Sequence, residues 1–225
     1  RRRLEPPGRA LPNHRPCAQR ASTRRATATW HRDTGRVSTP VTVERRSVVR
    51  PVLVLLAAMW LLEVADAVLP VAMDAWGIQG RTASGLLGVL LAPFLHGGFG
   101  HLMANTVPFL VLGLLVAWRS RDLFWAVLGI IVVAGGLGVW LLTSPSTVTI
   151  VASGVVFGFA AYLVTAGVLT RHWLDDLVAV GVVLVYGTLI VGVLPFGVAA
   201  GVSWLGHLTG ALSGVLAAVL VARRD

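Results

Sequence analysis

Four polar side chains stand inside otherwise apolar stretches of this chain: His101, Asn105, Ser153 and His207. A serine hydroxyl becomes a nucleophile when a neighbouring base takes its proton, and histidine is the usual base. A histidine and an asparagine four residues apart lie on one face of a helix. Such a pair can aim hydrogen-bond donors at an oxygen on which negative charge develops. The chemistry on offer is acyl transfer. Ser153 would attack, His207 would take its proton, and His101 with Asn105 would face the oxyanion. Phe157 stands four residues after Ser153, on the same helix face, where a ring can support an imidazole. Ser153 also has a plainer use, because serine is a preferred helix N-cap.

These residues need elements to hold them, and composition says which. The chain has 225 residues, 56% hydrophobic and 13% charged, with a mean hydropathy of +0.78. Ordinary soluble domains are far less apolar. Several apolar runs reach about 20 residues, enough to cross the hydrocarbon core. They predict an all-α polytopic membrane protein with six transmembrane helices, at 52–73, 101–118, 123–142, 153–170, 177–194 and 202–222. The short alternating segments of a β-barrel are missing. Residues 74–100 are glycine-rich and long for a connection, and read as a partly embedded loop. Glu63 and Asp66 lie in the later half of the first span. Carboxylates are costly at membrane depth, so these two read as interfacial or mutually hydrogen-bonded packing residues.

The net charge of +9 comes from arginine alone: there is no lysine, and 13 of 19 arginines lie in residues 1–50. Residues 1–47 read as a basic, disordered tail and 48–225 as the membrane domain. A basic tail beside a membrane domain sets topology and touches anionic lipid, and no nucleic-acid partner is expected. Cys17 is the one cysteine, so no disulfide forms within this sequence. No cofactor and no metal are expected. His96 and His101 lack the glutamate and the i,i+4 spacing of a helical metal site.

Positive charge in short loops marks the cytoplasmic side. With both termini cytoplasmic, Arg119, Arg121, Arg171, Arg223 and Arg224 all fall inside, and Arg81 alone falls outside. The second, fourth and sixth spans then start at the outer face. His101, Asn105, Ser153 and His207 converge on one depth from three helices. Glycines support a close approach of two of those helices. Gly154-xxx-Gly158 lies on one, and Gly206-xxx-Gly210-xxx-Gly214 on the other. Small residues at that spacing let membrane helices come near each other.

The residues now in view resemble the motifs of the rhomboid family. His96-Gly-Gly-Phe-Gly-His101-Leu-Met-Ala-Asn105 is similar to the family's histidine-and-asparagine motif. Ala152-Ser153-Gly154 is similar to its G-x-S-G nucleophile motif, and Gly206-His207-Leu-Thr-Gly210-Ala-Leu-Ser-Gly214 to its histidine motif. The likeness spans roughly residues 50–222. It implies a Ser–His dyad that hydrolyses peptide bonds of transmembrane substrates near the outer face, with no third acidic member. Ser153 would be the nucleophile and His207 the general base. His101, Asn105 and the Ser153 backbone N–H would form the oxyanion hole, and His96 would be a structural member. The implied partners are single-span transmembrane proteins and membrane lipid.

The sequence departs from the family pattern at three places. Val151 stands where the nucleophile motif begins with glycine, and Phe157 where tyrosine is frequent. Leu87-Gly88 stand where many members have Trp-Arg. An arginine-rich, lysine-free composition points to a high-GC bacterial genome, hence to the bacterial inner membrane. The connection over 195–203 is the expected gate. Two other readings stay open. One is a rhomboid-like protein that binds membrane helices without cutting them. The other is a transporter or channel with the polar cluster as a substrate or proton path, although no inverted repeat is visible.

Overall fold

The computed structural model describes residues 41–119, 121–196, 198 and 202–221. The tail expected over 1–47 falls mostly outside this set. So do positions 197 and 199–201 of the expected gate, and Arg223 and Arg224. Eight α-helices are described: α1 (Val41–Val68), α2 (Ala83–Leu91), α3 (Phe99–Arg119), α4 (Arg121–Ile130), α5 (Gly136–Leu142), α6 (Ala152–Thr170), α7 (Trp173–Tyr186) and α8 (Trp204–Val221). A five-residue π-helical segment, Ile131–Gly135, joins α4 to α5. Two short strands, β1 (Ile78–Gln79) and β2 (Val148–Thr149), pair antiparallel.

Five helical stretches among the described residues are long and apolar enough to cross a membrane: Val49–Val68, Phe99–Arg119, Asp122–Leu142, Ala152–Thr170 and Trp204–Val221. The protein is an all-α integral membrane protein. The remaining expected span, 177–194, takes another form. There α7 has 14 residues, and the chain then tightens into a 3-10 helix over Gly187–Val193. Fourteen residues at about 1.5 Å each cover about 21 Å, short of the hydrocarbon core's thickness of about 30 Å. Two glycines, Gly187 and Gly192, weaken the α-helix there.

The first span ends at Val68 rather than at residue 73. Pro70 cannot continue the hydrogen-bond ladder, and the Asp66 carboxylate accepts the Met73 backbone N–H, which closes the following turn. Within 74–100 the sequence reading missed α2. Its start was marked by Thr82, whose backbone is extended and whose Oγ1 accepts the Gly85 N–H at 3.0 Å. This loop is latched to the end of α5. Arg81, at φ 55, donates its N–H to the Trp140 carbonyl at 3.0 Å and Nη1 to the Leu141 carbonyl at 2.9 Å. Trp140 Nε1 donates back to the Thr82 carbonyl at 2.8 Å.

At the centre of the bundle is α6, of which 67% is buried, against 44% or less for the other spans. Its Phe159 meets Phe109 and Phe124 with ring centroids 5.8 and 5.9 Å apart. Lipid is as apolar as these side chains, so close packing rather than exclusion from water holds the helices together. The α6–α8 seam shows this most clearly. A Cβ at Gly154 would stand 2.9 Å from the Gly206 carbonyl oxygen. A Cβ at Gly210 would stand 2.9 Å from the Gly154 Cα, and one at Gly214 3.0 Å from the Gly158 Cα. Only glycine fits at these crossings.

Candidate active site

Ser153 is the second residue of α6, and the N-cap is Val151, which makes no side-chain cap bond. The plain reading of Ser153 as a helix cap therefore does not hold. Its Oγ instead lies 2.8 Å from His207 Nε2, across the glycine seam. Both residues are buried, Ser153 at 9% exposure and His207 at 6%. The local turn is fixed by the Gly154 N–H donating to the Val151 carbonyl at 2.9 Å, and by the Val151 N–H donating to the Ala92 carbonyl at 3.3 Å. Val151 is buried, and a Cβ on Gly206 would lie 3.1 Å from its Cγ1. The valine that replaces the expected glycine thus packs against α8.

His207 enters in the first turn of α8. Its ring lies flat on Phe157, with centroids 4.0 Å apart and planes 9° from parallel. Its second nitrogen, Nδ1, lies 2.9 Å from the backbone carbonyl oxygen of Gly192, in the 3-10 segment. Gly192 played no part in the sequence reading. Its contribution is a backbone atom, which no residue type announces.

His101 and Asn105 occupy the first two turns of α3, which starts at Phe99. They line one cavity of about 350 Å³ together with Ser153, Phe157, Gly192 and His207. Asn105 is buried, and its Nδ2 has no hydrogen-bond partner among the described residues. A donor left unsatisfied in a buried place is costly, and here it borders the Ser–His pair. A second cavity of about 410 Å³ shares Ser153 and His101 with the first. Its wall includes the hydroxyl-bearing Thr143, Thr147, Thr149 and Ser203.

His96 lies in the loop before α3, 1% exposed. Its Nδ1 donates to the Phe94 carbonyl at 3.3 Å, and its ring meets His101 edge-on at 5.6 Å. Burial, and then the neighbouring His101, lower its pKa to about 4. It is a neutral wall behind His101. Gly98, at φ 115, turns this loop into α3, and the His101 N–H donates to the Gly98 carbonyl at 3.1 Å. Glu63, on α1, is buried. The Asp66 carboxylate meets the Met73 backbone N–H. A nucleophile, a base within hydrogen-bond reach and an unsatisfied donor on the same cavity are the parts that acyl transfer needs.

A family model described as the Rhomboid domain matches residues 83–224. A protein of Mycobacterium tuberculosis strain H37Rv and one of Mycobacterium bovis, both titled uncharacterized, are each 39% identical over 204 residues. The match covers 84% of this chain and 84% of theirs. An uncharacterized protein of Mycobacterium leprae is 37% identical over 177 residues, covering 76% of this chain and 70% of its own. No solved structure matches the chain.

Proposed function

This chain belongs to the rhomboid family, and from that premise we propose that it is an intramembrane serine protease acting with Ser153 and His207. The observation that carries the reading is the buried 2.8 Å contact between Ser153 Oγ and His207 Nε2. In the first step the Oγ–H proton passes to Nε2 while Oγ bonds to the scissile carbonyl carbon. The resulting oxyanion is met by His101, by the unpartnered Asn105 Nδ2 and by the Ser153 backbone N–H. Collapse breaks the C–N bond, and the proton on Nε2 leaves with the amine. Water then attacks the acyl-enzyme, with His207 again as base, and the new carboxylic acid is released.

The two cavities divide the traffic. The one bordered by Pro108 of α3, Val156 of α6 and Val191 of the 3-10 segment is apolar-walled and takes the substrate backbone. The hydroxyl-lined one supplies water. Substrates are single-span membrane proteins cut near the outer face. Both termini lie in the cytoplasm, the membrane is the bacterial inner membrane, and the chemistry needs no cofactor. The purified protein, treated with a fluorophosphonate, should label at Ser153. Labelling should vanish in Ser153→Ala and His207→Ala, and labelling that survives Ser153→Ala would sink the assignment. A folded wild type that never labels, and cuts none of a panel of tagged single-span proteins, would be a helix-binding relative instead.

A further inference from the structure

We propose that the backbone carbonyl of Gly192 is the third member of the catalytic unit. It holds the Nδ1 proton of His207 and so keeps Nε2 free to act as base; this role in catalysis rests on the protease reading above. A neutral imidazole carries one N–H, and which nitrogen bears it is set by what the other meets. A carbonyl oxygen can only accept, so the 2.9 Å contact between His207 Nδ1 and Gly192 O requires the proton on Nδ1. Nε2 then has its lone pair directed at Ser153 Oγ, 2.8 Å away. Ser153 alone does not decide the tautomer, because a hydroxyl can accept as readily as it donates.

The sequence keeps this carbonyl available. In a 3-10 helix the carbonyl of residue i accepts from the N–H of residue i+3. Leu194 N–H does this for the Val191 carbonyl at 3.1 Å. The next donor in the series, for Gly192, would be residue 195, which is proline and has no N–H. The Gly192 carbonyl is left without its 3-10 partner and meets the imidazole instead.

Gly192 must also be glycine for the carbonyl to come this near. A Cβ there would stand 2.8 Å from Phe157 Cζ and 3.3 Å from His207 Nδ1. The ring of His207 is thus held on three sides: Phe157 against its face, Ser153 at Nε2 and Gly192 at Nδ1. Elsewhere a carboxylate does the work at Nδ1. Here a main-chain carbonyl does it without placing a charge in the membrane.

The test is the ¹⁵N spectrum of the imidazoles in detergent or nanodiscs, with His207 assigned by its loss in His207→Ala. It is run in a Ser153→Ala background, so the readout is independent of proteolysis. The expected state is Nδ1-protonated His207 even without the hydroxyl; a tautomer mixture in Ser153→Ala would overturn the proposal. Adding Gly192→Ala, or Pro195→Ala, which supplies a competing N–H without touching the ring, should produce that mixture. An unchanged Nδ1–H tautomer in both would overturn it as well. With Ser153 present, either variant should slow fluorophosphonate labelling at least about 10-fold, and Gly181→Ala, which has open space around it, should not. Wild type that shows the expected tautomer but never labels would count against the protease reading and leave the Gly192 assignment standing.

Discussion

Gly210→Ala is the sharpest test of how the two halves of the dyad are brought together. Built on the existing backbone, the new methyl would lie 2.9 Å from the Gly154 Cα and 2.8 Å from the Gly154 carbonyl carbon. Carbon atoms in contact sit at about 3.5–4.0 Å. The obstacle is backbone on a central helix, so no side chain can step aside. The helices must separate by about 1 Å at that point. Gly154 and Gly210 are the near neighbours of Ser153 and His207 on those helices, so the separation is felt in full at the dyad. Added to the present 2.8 Å, it takes Oγ···Nε2 to about 3.8 Å, beyond a hydrogen bond. Loss of general-base assistance then slows fluorophosphonate labelling by about 10²–10⁴, while overpacking costs about 1–3 kcal/mol of stability. Gly214→Ala is the comparator. It meets Gly158 in the same way, with Cβ 3.0 Å from its Cα, but one turn farther from the dyad. It should cost similar stability and much less rate. Labelling kinetics and thermal melts on the same preparations decide. A folded Gly210→Ala that labels at the wild-type rate refutes the reasoning, as does Gly214→Ala slowing labelling equally.

Three other outcomes are expected. His101→Ala and Asn105→Ala should each lower peptide-bond turnover by about 10²–10³, the scale for losing one oxyanion donor, with melting temperatures close to wild type; full activity in both would remove them from the site. Phe157→Leu gives up a ring stacked at 4.0 Å on His207; at about 0.5–1.5 kcal/mol for such a pair, labelling should slow several-fold, and an unchanged rate would show that the ring only fills space. His96 has a folded pKa of about 4, below the ordinary 6.5, so the unfolded chain takes up the proton first. Its part of the stability is full above about pH 6.5 and is lost as pH falls toward 4. Melting temperatures of wild type should therefore drop more steeply over that window than those of His96→Gln, and equal slopes would refute the link.

Apolar runs made the membrane spans legible, because length and hydropathy are properties of a stretch. The candidate site was legible for a different reason: polar residues stand out on apolar helices, so Ser153, His207, His101 and Asn105 were visible as exceptions. What stayed hidden depends on atoms that residue types do not report. The Gly192 carbonyl is main chain. Position 177–194 is as apolar as its neighbours, yet it becomes α7 plus a 3-10 turn, a choice made by two glycines and by what packs around them. Glu63 and Asp66 were noticed as costly, but the partner of Asp66, the Met73 N–H, exists only once the chain after Val68 has turned back. Ser153 was open to two uses; Val151 holds the N-cap position, and the Ser153 hydroxyl meets His207 only where α6 crosses α8.

The depth at which α6 is enclosed has a consequence for how the protein is made. A span with two thirds of its residues buried has few of them left to face lipid, and its backbone at Gly154 and Gly158 is shaped to lie against Gly210 and Gly214 of a helix synthesised some fifty residues later. Until that helix leaves the translocation machinery, Ser153 has no base and the glycine face of α6 has no cover. A nascent chain therefore lacks the Ser153–His207 pair while it is being inserted. The Ser153–His207 contact forms in one step, with the docking of α8.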